Sequence, residues 1–328
     1  MKRTVILFAL TLFFTQFVCA CSDMESAADG GIVMPEKKMS LSAVALDDCL
    51  YVLGGMIETG EIVSDFAKYD LLNNEWTQLE PMPVERAGAA VVHQNGRLYV
   101  FGGRSNSGLV RQVDVYCIES GKWESAKDMP YEAWNLSAES CDGKIYLLGG
   151  ISGTANERRA LNEVYIFDPG DNSYEQGPPL PYCRHDAASA VLNRNIYLMG
   201  GKIQAGPDAQ AVDLVSVLDV ETMRWSELAP LPGRRVGMKG TAIGGKIYVA
   251  GGNSSGTLLK SVDCYDPDTD TWSVAAELSA ARSGHAAASL NGMLYVAGGS
   301  LTIPKSAGDI RLSGSVEAIS IAQNDPVE

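Results

Sequence analysis

Six Gly-Gly pairs recur along this chain of 328 residues, at separations of 47 to 51: Gly54-Gly55, Gly102-Gly103, Gly149-Gly150, Gly200-Gly201, Gly251-Gly252 and Gly298-Gly299. Each pair ends a short apolar run, with a Tyr three residues before the first Gly: Tyr51, Tyr99, Tyr146, Tyr197, Tyr248 and Tyr295. A period of that size means one supersecondary unit copied along the chain, and such units bury their apolar faces only against neighbours. Upstream of most runs stands a turn dipeptide: Asn95-Gly96, Asp142-Gly143, Gly244-Gly245 or Asn291-Gly292. Such dipeptides accept positive φ and join two strands in a tight hairpin. Length alone would allow two ordinary domains. The period divides it instead into six units of one closed domain.

Two further features keep the same register. Sixteen residues before the first Gly stand Lys38, Arg86, Arg184, Arg235 and Arg282, and the third repeat departs with Ala133. Downstream an aromatic recurs, as Trp76, Trp123, Tyr174, Trp225 and Trp272, with Tyr69-Asp70, Phe167-Asp168-Pro169 and Tyr265-Asp266-Pro267 ahead of three of them. In this combination the chain resembles kelch-repeat proteins over roughly residues 31–322. The resemblance implies an all-β fold, a six-bladed kelch β-propeller with four strands per blade. The residues themselves agree, with many short strands, hairpin signals and no long amphipathic helix. In such a ring the Arg series and the Tyr and Trp sets read first as structural, the Arg pairing with acids of their own or a neighbouring blade.

After Gly298-Gly299 one strand-like run remains, Val316 to Ile321, and no terminal Trp follows it. An open ring would leave strand edges exposed. The N-terminal strand Gly31 to Met34 is therefore expected to close the last blade. That sets the domain at 31–322, with a tether over 21–30 and a C-terminal tail over 323–328. Residues 1–20 have the layout of a secretory signal, with basic Lys2 and Arg3, an apolar stretch from Val5 to Val18 and a small-residue exit. Val18-Cys19-Ala20-Cys21 resembles a bacterial lipobox, which implies lipidation of Cys21 and an exported lipoprotein, periplasmic or at the cell surface. Ordinary secretion with cleavage near residue 20 is the simpler alternative. The remaining cysteines, Cys49, Cys117, Cys141, Cys183 and Cys264, are odd in number and lack CxxC spacing, so neither a disulfide framework nor a metal site is indicated.

The loops between second and third strands and those leading into each blade emerge on one face of this fold. Their Arg, Lys and Asn residues make them far less acidic than the rest of a chain whose net charge is −14. Counting an acid near each third strand (Asp65, Asp114, Glu163, Asp213, Asp263, Glu317) brings that face close to neutral. A non-acidic face on an acidic protein favours a polar or anionic ligand there, and nucleic acid is excluded as a partner. The candidate ligand-binding residues are Arg104, Trp134, Asn135, Arg159, Arg184, His185, Arg234 and Asn253. Trp134, beside the missing Arg, is placed to stack on a sugar ring or to fill the space that the Arg side chain vacates.

No catalytic residue is assigned. His93, His185 and His285 are the only histidines, too few and too scattered for copper chemistry of the galactose-oxidase kind. P-loop, Rossmann and serine-hydrolase motifs are missing, so no cofactor or metal is expected. The resulting expectation is an exported binding module whose partner is a glycan, a sugar acid or a protein, held at a membrane by its lipid anchor. The alternative is a sugar epimerase of the N-acetylneuraminate (sialic acid) mutarotase kind. These are likewise exported kelch propellers, but their catalytic residues find no counterpart here.

Overall fold

The computed structural model describes residues 31–154, 157–206, 209–303 and 309–321. The signal, Cys21, the tether and the tail lie outside the described residues. The chain divides into Met1–Gly30 and Gly31–Glu328, and the second unit carries the fold.

Six four-stranded antiparallel sheets follow one another. The first blade comprises Ser42–Leu46, Cys49–Leu53, Phe66–Asp70 and Glu75–Gln78, ordered from the channel outward. The inner strands of the next five blades are Ala90–Gln94, Ser137–Cys141, Ala188–Leu192, Lys239–Ile243 and Ala286–Leu290. All six first hairpins turn through two residues of positive φ. Four of these turns carry the dipeptides legible in the sequence. The other two use Asp47-Asp48 and Asn193-Arg194, with Arg194 at φ +61°.

The second strands are buried on both faces, as Leu50 to Leu53 and Leu98 to Phe101 illustrate. A continuous apolar run is what a strand between two packed layers requires. Outer strands such as Lys122–Ala126 alternate toward solvent. The core is accordingly a ring of clusters that bridge neighbouring blades. Tyr99, Phe101 and Val113 meet Ile145, Leu147 and Phe167 of the third blade, and Leu50, Val52 and Tyr69 meet Tyr295, Ala297 and Val316 of the sixth.

Backbone bonds explain the Gly-Gly and Arg registers together. The second Gly of each pair donates its amide to the carbonyl of the next blade's register residue: Gly55 to Arg86, Gly103 to Ala133, Gly150 to Arg184, Gly201 to Arg235, Gly252 to Arg282 and Gly299 to Lys38, at 2.7–2.9 Å. The first Gly sits at positive φ, and a Cβ on Gly54 would run into the Arg86 carbonyl. Glycine is demanded there by both conformation and close approach.

The N-terminal strand closes the sixth blade as expected. Ile32 pairs with Val316 and Val33 with Ser315, outside the third strand Ser315–Ser320. This seam is lighter than the others. In blades two to five the outer-strand aromatic donates to a carbonyl of the preceding blade: Trp123 to Glu80, Tyr174 to Lys127, Trp225 to Pro178 and Trp272 to Ala229. At the seam the buried Trp76 Nε1 finds no partner among the described residues.

Candidate ligand-binding face

The Arg series is internal, and its side chains grip their own blades. Arg86 donates to the carbonyls of Gly102 and Gln112 and pairs with Asp114, both side chains being fully buried. Arg235 reaches Asp263 at 2.5 Å, Lys38 reaches Asp65 at 2.6 Å, and Arg282 pairs with Glu317. The fourth blade departs from the expected pairing. Arg184 donates to Gly200, Leu214 and Ser216, and the Ser216 hydroxyl passes the contact to Glu227, so Asp213 is not the partner. Burial lowers the Arg184 pKa to about 10, with Glu227 opposing the shift. Arg184 is thus part of the blade interior and not of a ligand-facing surface.

In the third blade the base–acid pair is replaced by two rings packed at a tilt of 38°. Tyr131 lies 5.3 Å from Tyr165 between ring centres, and burial pushes the Tyr131 hydroxyl pKa upward. Glu163, left without a register base, pairs with Arg159 at 3.0 Å. Arg159 is therefore on the face but already partnered.

The loops leading into each blade pair with the second-to-third-strand loop of the same blade through short bridges: Ala87 with Arg104, Trp134 with Ile151, His185 with Lys202 and Val236 with Asn253. Both loop types thus share one face. Next to each bridge lies one member of a closed ring of backbone bonds around the channel. Ser40, Gly88, Asn135, Asp186, Gly237 and Gly284 all lie at φ +51° to +64°. Each donates its amide to the carbonyl of the preceding member of the ring, at 2.6–3.2 Å. Asn135 is a member, with its side-chain oxygen lying over Gly88. It frames the channel mouth.

His185 is buried at 3% exposure, with Nδ1 3.0 Å from Asp186 and Nε2 2.9 Å from the Gln204 carbonyl. Both ring nitrogens are engaged, so it acts as a brace between two loops and presents no free edge to a ligand.

Four candidates remain at the surface, in two places. Arg104 stands 6.0 Å from the centre of the Trp134 indole, and Arg158 from the neighbouring blade stands 5.7 Å from it. Both distances allow cation–π attraction. Arg158 was not singled out by the sequence register, because it sits in a hairpin, Ile151–Gly153 with Arg158–Ala160, that among the described residues is longer than the one blade five builds at the same place. The Trp134 ring therefore packs under arginines of two blades, while Tyr131 packs against Tyr165 beside the vacant register position.

Arg234 and Asn253 meet in a cleft of about 340 Å³ between blades four and five, with Lys202, Gln210, Val236 and Ser255. Among the described residues neither Arg104, Arg158, Lys202 nor Arg234 has an acidic partner. A wider groove between blades one and two has the opposite character, with Glu61, Asp65 and Glu85 along it.

The channel itself holds about 100 Å³ lined by small residues, Glu139 and Lys239. Burial pushes the Glu139 carboxyl up to about 7, against a hydrogen bond from Ser189 and the nearby Lys239. The five cysteines Cys49, Cys117, Cys141, Cys183 and Cys264 are free thiols.

Residues 40–231 and 135–312 match the KLHDC2/KLHL20/DRC7 Kelch-repeats domain. The chain is 29% identical over 241 residues to Kelch-like protein 25 of Xenopus tropicalis, across 71% of this chain and 40% of that protein. It is 30% identical over 217 residues to Alpha-scruin of Limulus polyphemus, across 65% of this chain and 19% of that protein. Kelch repeat and BTB domain-containing protein 12 of Homo sapiens is 24% identical over 215 residues, across 62% of this chain and 28% of that protein. The match thus spans less than half the length of each of these relatives. With its repeats, its closed ring of blades and these matches, the chain belongs to the kelch-repeat family, whose propellers are typically protein-binding modules.

Proposed function

We propose that this propeller is an exported binding module that uses its loop face to hold an anionic ligand, in the first instance an acidic segment of a partner protein. The observation that carries the reading is a group of loop-face cations without acidic partners among the described residues, Arg104, Arg158, Lys202 and Arg234 among them. On a protein of net charge −14, unpaired cations gathered on one face steer and orient an anionic partner. Trp134 adds a flat apolar surface between two blades, the kind of anchor on which binding energy concentrates. Glycans with acidic groups offer the same charge and are the second arm of the test. Export and a lipid on Cys21 would present this face outside the cytoplasm, and labelling with a fatty acid that is lost in Cys21→Ser tests that part separately.

The binding test uses an immobilised Glu-rich peptide, an acidic glycan and neutral controls. Retention should weaken at least five-fold in Arg104→Ala/Arg158→Ala and fall with added salt. Equal retention of the double variant and the parent protein on every anionic probe sinks the proposal.

A further inference from the structure

The cleft between blades four and five has a chemistry of its own, distinct from the open Trp134 surface. Its charged members are both cations, Lys202 and Arg234, and no Asp or Glu lines it among the described residues. Asn253 is oriented by its own loop, because its Oδ1 accepts the Gly256 amide at 3.0 Å. That leaves the Asn253 Nδ2 as a donor. Lys202 and Arg234, having no acceptor capacity, present donors alone, while Gln210 and Ser255 can donate or accept.

The backbone around these side chains is fixed before any ligand arrives. Lys202 is bridged to His185 on one side and to Ala211 on the other. Arg234 directly precedes Arg235, which is tied to Asp263 at 2.5 Å. Val236 and Asn253 exchange backbone bonds at 3.0 and 2.8 Å. His185, buried against Asp186 and the Gln204 carbonyl, braces the loop that carries Lys202. Preorganised donors lose little freedom on binding and so hold a small ligand well. At about 340 Å³ the cleft falls at the lower end of the range of roughly 300–1,000 Å³ that small-molecule sites occupy. It suits one small molecule and is too small for a folded partner.

We propose that this cleft is a site for a hydroxylated small molecule of monosaccharide size bearing one oxyanion, which Arg234 and Lys202 would hold while Asn253, Gln210 and Ser255 bond its hydroxyls. The inference rests on the anionic-ligand reading of the loop face and narrows it to a small-molecule class at a separate place. Carboxylate and phosphate share the chemistry that the two cations recognise. The test therefore has an arm for each.

Titration calorimetry of the purified protein is to be run with glucuronate, glucose 6-phosphate, glucose and inorganic phosphate. Binding of glucuronate or glucose 6-phosphate at least ten-fold tighter than glucose is expected, and whichever binds identifies the oxyanion. Phosphate alone should bind more weakly than glucose 6-phosphate, since it offers no hydroxylated body. Arg234→Ala should weaken the binding at least ten-fold and Lys202→Met similarly, whereas Arg224→Ala, on the exposed outer strand of blade four, should leave it unchanged. Equal binding of charged and neutral sugars, or binding indifferent to Arg234→Ala, overturns the proposal. If no sugar anion binds while the Glu-rich peptide still does, the cleft assignment falls and the broader reading stands. If neither binds, both fall.

Discussion

The backbone amide of Ser40 donates to the carbonyl of Gly284 at 2.6 Å, and with this bond the first blade is joined to the last at the channel mouth. The same bond type runs on through Gly88, Asn135, Asp186 and Gly237. One ring thus depends on six left-handed residues contributed by six blades. Such a ring fails as a whole if one member cannot adopt the conformation, because no local repair restores the missing bond.

Gly88→Ala should therefore destabilise the propeller. Its φ is +63° and a new Cβ would run into Asn135 Oδ1. Left-handed strain in a non-glycine residue costs about 1–3 kcal/mol. Asn135→Gly, at φ +52°, keeps the conformation and removes the obstructing amide, so the double variant should recover part of the loss. Urea midpoints of the two single variants and the double variant check this. Equal midpoints for Gly88→Ala and the parent would mean that the ring does not carry stability.

The Gly-Gly pairs made the blade boundaries legible, because a positive φ beside a neighbouring carbonyl leaves glycine as the residue that fits. The mouth ring was not legible, since Ser40, Asn135 and Asp186 serve where Gly88, Gly237 and Gly284 serve elsewhere. A site that several residue types can fill leaves no repeat in the sequence. The candidate site was legible in part for a related reason. Arg184 and Arg234 look alike in composition, but one is 1% exposed and bonded within its blade while the other lines an open cleft. Register separates them, and Arg234 stands one residue out of it. His185 follows a register residue directly, yet its inward brace to Gln204 depends on a loop whose path the sequence does not encode by any repeat.

Arg86→Ala should be among the most damaging single changes. Arg86 and Asp114 are both fully buried side chains, and removing one partner of a buried pair typically costs about 3–5 kcal/mol by stranding the other charge. Lys38→Ala should cost less, because Asp65 is 29% exposed and water can take over its solvation. Thermal unfolding of the two variants ranks them. A smaller loss for Arg86→Ala than for Lys38→Ala would contradict the burial argument.

The seam between the sixth and first blades should open first. Among the described residues its outer strand pairs two residues, Ile32 with Val316 and Val33 with Ser315, and Trp76 Nε1 lacks the interblade bond that Trp123, Trp225 and Trp272 make. Removing residues 1–34 should lower the melting temperature and promote association through the bared edge of Ser315–Ser320. Hydrogen exchange offers the same test without truncation. Amides of Ile32 to Met34 and Ser315 to Glu317 are expected to exchange faster than those of the outer and third strands of blade two. Uniform protection across both seams would count against a weak point here.

Two buried groups should act on the pH dependence of stability with opposite signs, one giving a limb that falls with rising pH and the other a limb that rises. The two largely cancel between about 4.5 and 6.5 in the parent. Glu139 has its carboxyl raised from 4.5 to about 7 by burial in the channel. Between those values the folded chain retains a proton that the unfolded chain releases, so stability is full at low pH and lost as pH rises through 7. His285 is fully buried, and burial, with Arg282 and Lys239 adding positive charge, depresses its pKa from 6.5 to about 3. Its contribution has the reverse sign, being present above 6.5 and lost as pH falls toward 3. Glu139→Gln should flatten the alkaline limb and stabilise the protein above pH 7, by up to ~3 kcal/mol if the shift is fully expressed. It should leave the acid limb in place. His285→Gln should flatten the acid limb and leave the alkaline one. Because the two windows overlap, urea midpoints at pH 5, 6, 7 and 8 expose each limb in the variant that lacks the other: stability should fall from pH 5 to 7 in His285→Gln and rise over that range in Glu139→Gln. An alkaline limb that persists in Glu139→Gln would show that the channel carboxyl is not its source.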